Sequence, residues 1–124
     1  MFLSSKTCQL LIGVIMNYCG RICCRMKKFE SQYPEVAKLY EELGVKCQSA
    51  GPLDAKTRYL VNLGIAVGAV SPGAVKSHAR KALEQGATSE ELHHALLLAL
   101  TTVGFPAMIA AIGWVEEVIE AEGK

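Results

Sequence analysis

The sequence predicts an all-α protein. Three observations carry this reading: apolar residues recur with a helical period, proline and glycine stand where helices begin and end, and no stretch alternates in the manner of a strand. At 124 residues the chain holds one principal domain. Hydrophobic residues make up 51% and charged residues 20%, a balance that excludes a disordered chain. The formal net charge of +1 gives no overall pull towards nucleic acid.

The elements follow in order from Pro34, which suits a first helical turn. Val36, Leu39, Tyr40 and Leu43 then recur at helical spacing, and Gly44 is expected to end this helix, leaving Val45 to Gly51 as a loop. Asp54 is the expected N-cap of a helix over about Ala55 to Ala69. That helix carries Leu60, Val61, Leu63, Ile65, Ala66 and Val67 around most of its circumference, so it must be covered on more than one side. Gly64 and Gly68, four apart, permit close approach of another helix. Ser71-Pro72 gives an N-cap and a first-turn proline for a helix that stops at Gly86. Thr88 and Glu91 form a capping box ahead of Leu92, Ala95, Leu96, Ala99 and Leu100. Gly104-Phe105-Pro106 breaks this helix, and Ala107 to Glu120 forms the last one.

Residues 1–25 differ from the remainder. Leu10 to Met16 is an unbroken apolar run, too short to cross a bilayer and not followed by a small-x-small cleavage site. The reading adopted is an atypical N-terminal extension, with Met26 opening the domain proper at 26–124; a short amphipathic anchor and a cleaved signal are the alternatives. Cys8, Cys19, Cys23 and Cys24 lie in this extension and only Cys47 in the domain. The odd count and uneven spacing point to a reducing cytoplasm rather than a disulfide framework, and no zinc-binding spacing is present.

His78 is the centre of the candidate chemistry. It shares a helical face with Val75, Ala79 and Ala82, where burial can tune an imidazole for proton transfer; a hydrogen-bonded core histidine is the structural alternative. Lys76 and Arg80 lie four apart and can hold an anionic substrate, or simply form a solvated basic face. His93 and His94 are adjacent, so their side chains diverge and do not readily share a metal. Thr101, with Thr102, stands just before the Gly-Phe-Pro break, where it can line a pocket or bond back to its own helix. Neither HExxH, a phosphate-cradling glycine loop nor Gly-x-Ser-x-Gly occurs.

The segments LDAKTRYLVNLGIAVGA, VKSHARKALEQGATSEELHHALLLA and VGFPAMIAAIGWVEEV, taken in this order, resemble the carboxymuconolactone decarboxylase family, which includes the alkylhydroperoxidase D proteins. The resemblance covers about Pro52 to Val118. It implies a helical bundle built around a helical hairpin, assembled as a homotrimer or homohexamer with active sites near subunit contacts. Peroxide-reducing members carry a Glu and then Cys-x-x-Cys-x-x-x-His; aligned on His78, these positions hold Tyr59, Ser71 and Ala74, so the redox pair is missing. The decarboxylase branch needs no such pair, and its HxRxAL-like segment resembles His78-Ala79-Arg80-Lys81-Ala82-Leu83. By that resemblance the chain is a lyase acting on a small carboxylated lactone without cofactor. His78 moves the proton, Tyr59 supplies a hydroxyl, Arg80 or Lys76 binds a carboxylate, and Ser71 and Thr101 line the substrate. A thiol peroxidase, of peroxiredoxin type, and a non-catalytic oligomeric binding protein are the competing functions. No membrane or nucleic-acid partner is expected.

Overall fold

The computed structural model describes residues 25–123, which form two compact units divided after Ala50. All regular structure among these residues is helical. The expectations for residues 1–24, including the apolar run and four of the five cysteines, lie outside the described residues.

In the first unit, residues 25–32 are helical and α1 spans Pro34–Ser49. Its start is as expected, with Pro34 in the first turn, where a missing N–H costs nothing. Its end is not: the helix passes through Gly44 and continues to Ser49, replacing most of the expected loop. One interior glycine costs roughly 1 kcal/mol against alanine. The residues that follow it contain no proline and continue the backbone ladder, and the Ser49 hydroxyl bonds back to the Val45 and Lys46 carbonyls. The stripe formed by Val36, Leu39, Tyr40 and Leu43 is exposed along its length.

The second unit is a bundle of five helices: α2 (Ala55–Gly68), α3 (Pro72–Glu84), α4 (Ser89–Leu98), the single turn α5 (Leu100–Val103) and α6 (Phe105–Glu122). Asp54 caps α2 as expected, its Oδ2 accepting the Thr57 N–H at 3.2 Å. The Thr57 hydroxyl, and next that backbone hydrogen bond, hold the Asp54 carboxyl below its ordinary range. The capping box of α4 is complete: Glu91 N–H donates to Thr88 Oγ1 at 3.1 Å and Thr88 N–H to Glu91 Oε2 at 2.9 Å. Glu91 also accepts from Lys56 Nζ at 2.8 Å, which joins the starts of α4 and α2.

The two halves of the hairpin end alike. At α3, Ala87 N–H reaches back to Ala82 O and Gly86 N–H to Leu83 O, a Schellman stop with Gly86 at φ 86°. At α2, Ser71 N–H reaches Ala66 O and Val70 N–H reaches Val67 O, but here the left-handed position is held by Val70 at φ 48°. This tight stop returns the chain at once along α2 and forms the α2–α3 hairpin. Leu63 and Val67 of α2, Val75 of α3, Leu92 and Leu96 of α4 and Val115 of α6 fill the core, while Ala66, Ala79, Ala82 and Ala111 keep the helix axes close.

Two boundaries differ from expectation. The helix opened by the capping box breaks at Ala99, giving α4 and α5 rather than one element. The last helix starts at Phe105 rather than Ala107, because Pro106 sits in its first turn, where an N–H has no helical acceptor. Gly104 makes the corner at φ 100°.

Candidate functional site

Val75, Ala79 and Ala82 of α3 are wholly buried, and this packing fixes the direction of His78, which shares their side of the helix. The imidazole is half-buried and faces Tyr59 of α2, with ring centroids 6.5 Å apart and planes tilted by 31°. Its Nδ1 is fully enclosed and has no hydrogen-bond partner. His93 is different in kind: its Nδ1 meets the Ser89 carbonyl at 2.7 Å, tying the ring to its own helix. Burial, and next the positive charge of Lys81, lower the pKa of His78 below its ordinary value. The neutral imidazole is therefore its resting form near pH 7.

The other residues singled out in the sequence do not all join this pair. Lys76 and Arg80 stand two positions either side of His78, about 200° around the helix, and project towards α6. Lys76 pairs with Glu117, and Arg80 Nε lies 3.5 Å from Glu122 Oε1. Ser71 lies seven residues before His78 on the same side of α3, about 10 Å along its axis; it occupies the N-cap position without donating or accepting a side-chain cap bond. Thr101 is exposed on α5, and its neighbour Thr102 borders a separate groove. Lys81, given no role on sequence grounds, comes instead: its Nζ lies 5.9 Å from the Tyr59 ring centroid. The i, i+3 spacing from His78 is the signal that could have found it.

The separate groove occupies the opposite flank of α2, between that helix and α4–α5, with a volume of about 640 Å³. Leu60, Val61, Ile65 and Leu98 supply apolar walls, and Gly64 and Gly68 a floor of bare backbone. Thr57, Val61, Gly64 and Gly68 lie half a turn around α2 from Tyr59, so the groove and His78 do not communicate around the helix. No helix of this unit enters it against Gly64, where an added Cβ would meet nothing within 4 Å.

At positions Ser71 and Ala74, before His78, there is no thiol; Cys47, the one described cysteine, is exposed on α1 in the other unit. A hairpin-centred helical bundle with a histidine turned towards an aromatic hydroxyl side chain, and no cysteine pair ahead of it, defines the class. The chain belongs to the carboxymuconolactone decarboxylase family, whose family model matches residues 34–117. The apo form of a carboxymuconolactone decarboxylase family protein from Legionella pneumophila, lpg0406, is similar with a TM-score of 0.76 and 27% identity, over 86% of this chain and 95% of that one. A family protein from Thermotoga maritima shares the fold with a TM-score of 0.68 and 24% identity, over 86% of this chain and 95% of its own. The uncharacterized protein MJ0742 of Methanocaldococcus jannaschii is 28% identical over 93 residues, 74% of this chain and 89% of that protein. Among the described residues no helix is long and apolar enough to cross a membrane.

Proposed function

We propose that this protein is a cofactor-independent lyase that removes carbon dioxide from a small carboxylated lactone, with His78 as its proton-transfer group. The observation that carries the reading is the half-buried imidazole of His78, turned towards Tyr59 with its enclosed Nδ1 bonded to no group. In the reaction the bond from the ring carbon to the carboxylate breaks, carbon dioxide leaves, and the electron pair stays on carbon, delocalised towards the lactone carbonyl. His78, neutral at rest, takes up a proton from solvent; the imidazolium so formed donates it to the resulting carbanion and returns to the neutral form. Its lowered pKa makes the imidazolium a stronger acid for this step. The Tyr59 hydroxyl donates a hydrogen bond to the lactone oxygen that gathers negative charge.

The protein acts as a homo-oligomer, a trimer or hexamer, in which a second copy covers the α2 groove. Ile65 and Leu98, about 65% and 64% exposed at its edges, support this assembly, as does the open backbone at Gly64.

Turnover of 4-carboxymuconolactone, followed by ultraviolet absorbance in the full chain and in His78→Gln, tests the activity. Loss of a measurable rate in a variant that keeps the parent's helicity and mass supports the reading. Equal rates in the two proteins, or no turnover by the parent, overturn it.

A further inference from the structure

Five cationic side chains lie between residues 51 and 123, and four of them are engaged. Lys56 pairs with Glu91, Arg58 donates to the Leu53 carbonyl, Lys76 pairs with Glu117 and Arg80 with Glu122. Lys81 is the fifth. Among the described residues no carboxylate pairs with it, and its Nζ extends across the hairpin above the ring of Tyr59. It follows His78 by three residues, so its charge, His78 and Tyr59 share one side of the hairpin.

We infer that Lys81 is the positioning residue of this site, anchoring a carboxylate of a small planar organic anion against the face of Tyr59 and beside His78. The assignment rests on the reading of His78 as the reacting centre, and it gives to Lys81 the role that the sequence suggested for Arg80 and Lys76. Those two cations are already neutralised by glutamates of α6 and stand on another side of α3, so a substrate held by them would not reach the imidazole. A carboxylate on Lys81 gains a charge-assisted hydrogen bond, and the flat skeleton behind it packs on an aromatic ring. Binding also has a consequence at His78. The ammonium beside it favours the neutral imidazole, so an anion that neutralises the ammonium makes protonation of His78 easier when substrate is in place.

Benzoate, a carboxylate that cannot decarboxylate by this route, is the probe, with benzamide as its neutral counterpart. Each is titrated into the full chain while the His78 imidazole signals are followed by nuclear magnetic resonance. Benzoate is expected to shift those signals and raise the His78 pKa, and benzamide to do neither. Lys81→Gln is expected to weaken benzoate binding about tenfold or more, Lys81→Arg to restore most of it, and Lys76→Gln and Arg80→Gln to leave it unchanged. Binding of benzoate by Lys81→Gln at parental affinity overturns the inference, as do loss of binding in Arg80→Gln and absence of benzoate binding to the parent. Because the probe is not turned over, an inactive lactone assay leaves this result standing. Lactone turnover with an unaltered KM in Lys81→Gln would sink the anchor while sparing the lyase reading.

Discussion

Tyr59 and His78 come from different helices and face one another across the α2–α3 hairpin, ring centroids 6.5 Å apart. The pair is held by the tight stop at Val70 and by the alanines that let α2 and α3 approach. The exposed ammonium of Lys81 lies 5.9 Å from the Tyr59 ring centroid, on the same side of the hairpin.

The titration of His78 leaves a signature in stability. Its folded pKa lies below its unfolded value of about 6.5. In the interval between the two, the unfolded chain binds more protons, so stability rises with pH. The contribution is therefore present above about pH 6.5 and is lost as pH falls through the folded pKa. Denaturant midpoints followed from about pH 7.5 down to pH 5 should show this decline, and His78→Gln should flatten it. A slope unchanged in the variant would mean that another group is responsible. The proposed mechanism adds an activity limb: kcat/KM falls as pH rises through the His78 pKa, because the proton donor is lost.

Val70 stands in a left-handed conformation at φ 48°, where a β-branched side chain is strained. Its side chain is 56% exposed and contributes little to the core. Val70→Gly should therefore raise stability, by about 1 kcal/mol, measured as an increased thermal or denaturant midpoint. A lower midpoint would show that the packing of Val70 outweighs its backbone strain.

Thr88 accepts the Glu91 N–H and presents its own N–H to the Glu91 carboxylate. Thr88→Ala removes the side-chain half of this box and should cost about 1 kcal/mol. Thr88→Ser should restore most of it. A serine variant as unstable as the alanine one would show that the methyl group, and not the hydroxyl, is what matters.

A Cβ added at Gly64 meets nothing within 4 Å in its own unit. Gly64→Leu should consequently leave helicity intact while obstructing the groove, and light scattering should register a smaller assembly than that of the parent. Retention of the parental mass would remove the α2 groove from the subunit contact.

Local rules made much of this fold legible. Asp54 before α2, the Thr88–Glu91 box and Gly86 after α3 are signals whose partners lie within a few residues, and each acts in the structure as it reads in the chain. Gly44 is the counterexample. Its helix continues because a glycine permits a helix to end but does not oblige it to, and nothing after it until Ser49 forbids helical backbone. Pro106 shows the same limit from the other side, since a proline bars the helix interior and not its first turn.

The helical class, the family, most helix starts and the apolar side of α3 on which His78 lies are all legible in the residues alone. Tertiary structure decided what shares that side. Lys76 and Arg80 read as free cations until Glu117 and Glu122, some 40 residues further on, are brought against them by α6. Tyr59 and Lys81 become neighbours of His78 only when α2 and α3 fold together. Helical periodicity fixes which residues of one helix point the same way, because it depends on backbone geometry alone. It carries no information on which other helix supplies the opposing charge or ring, and that pairing is what separates an ion pair from a binding site.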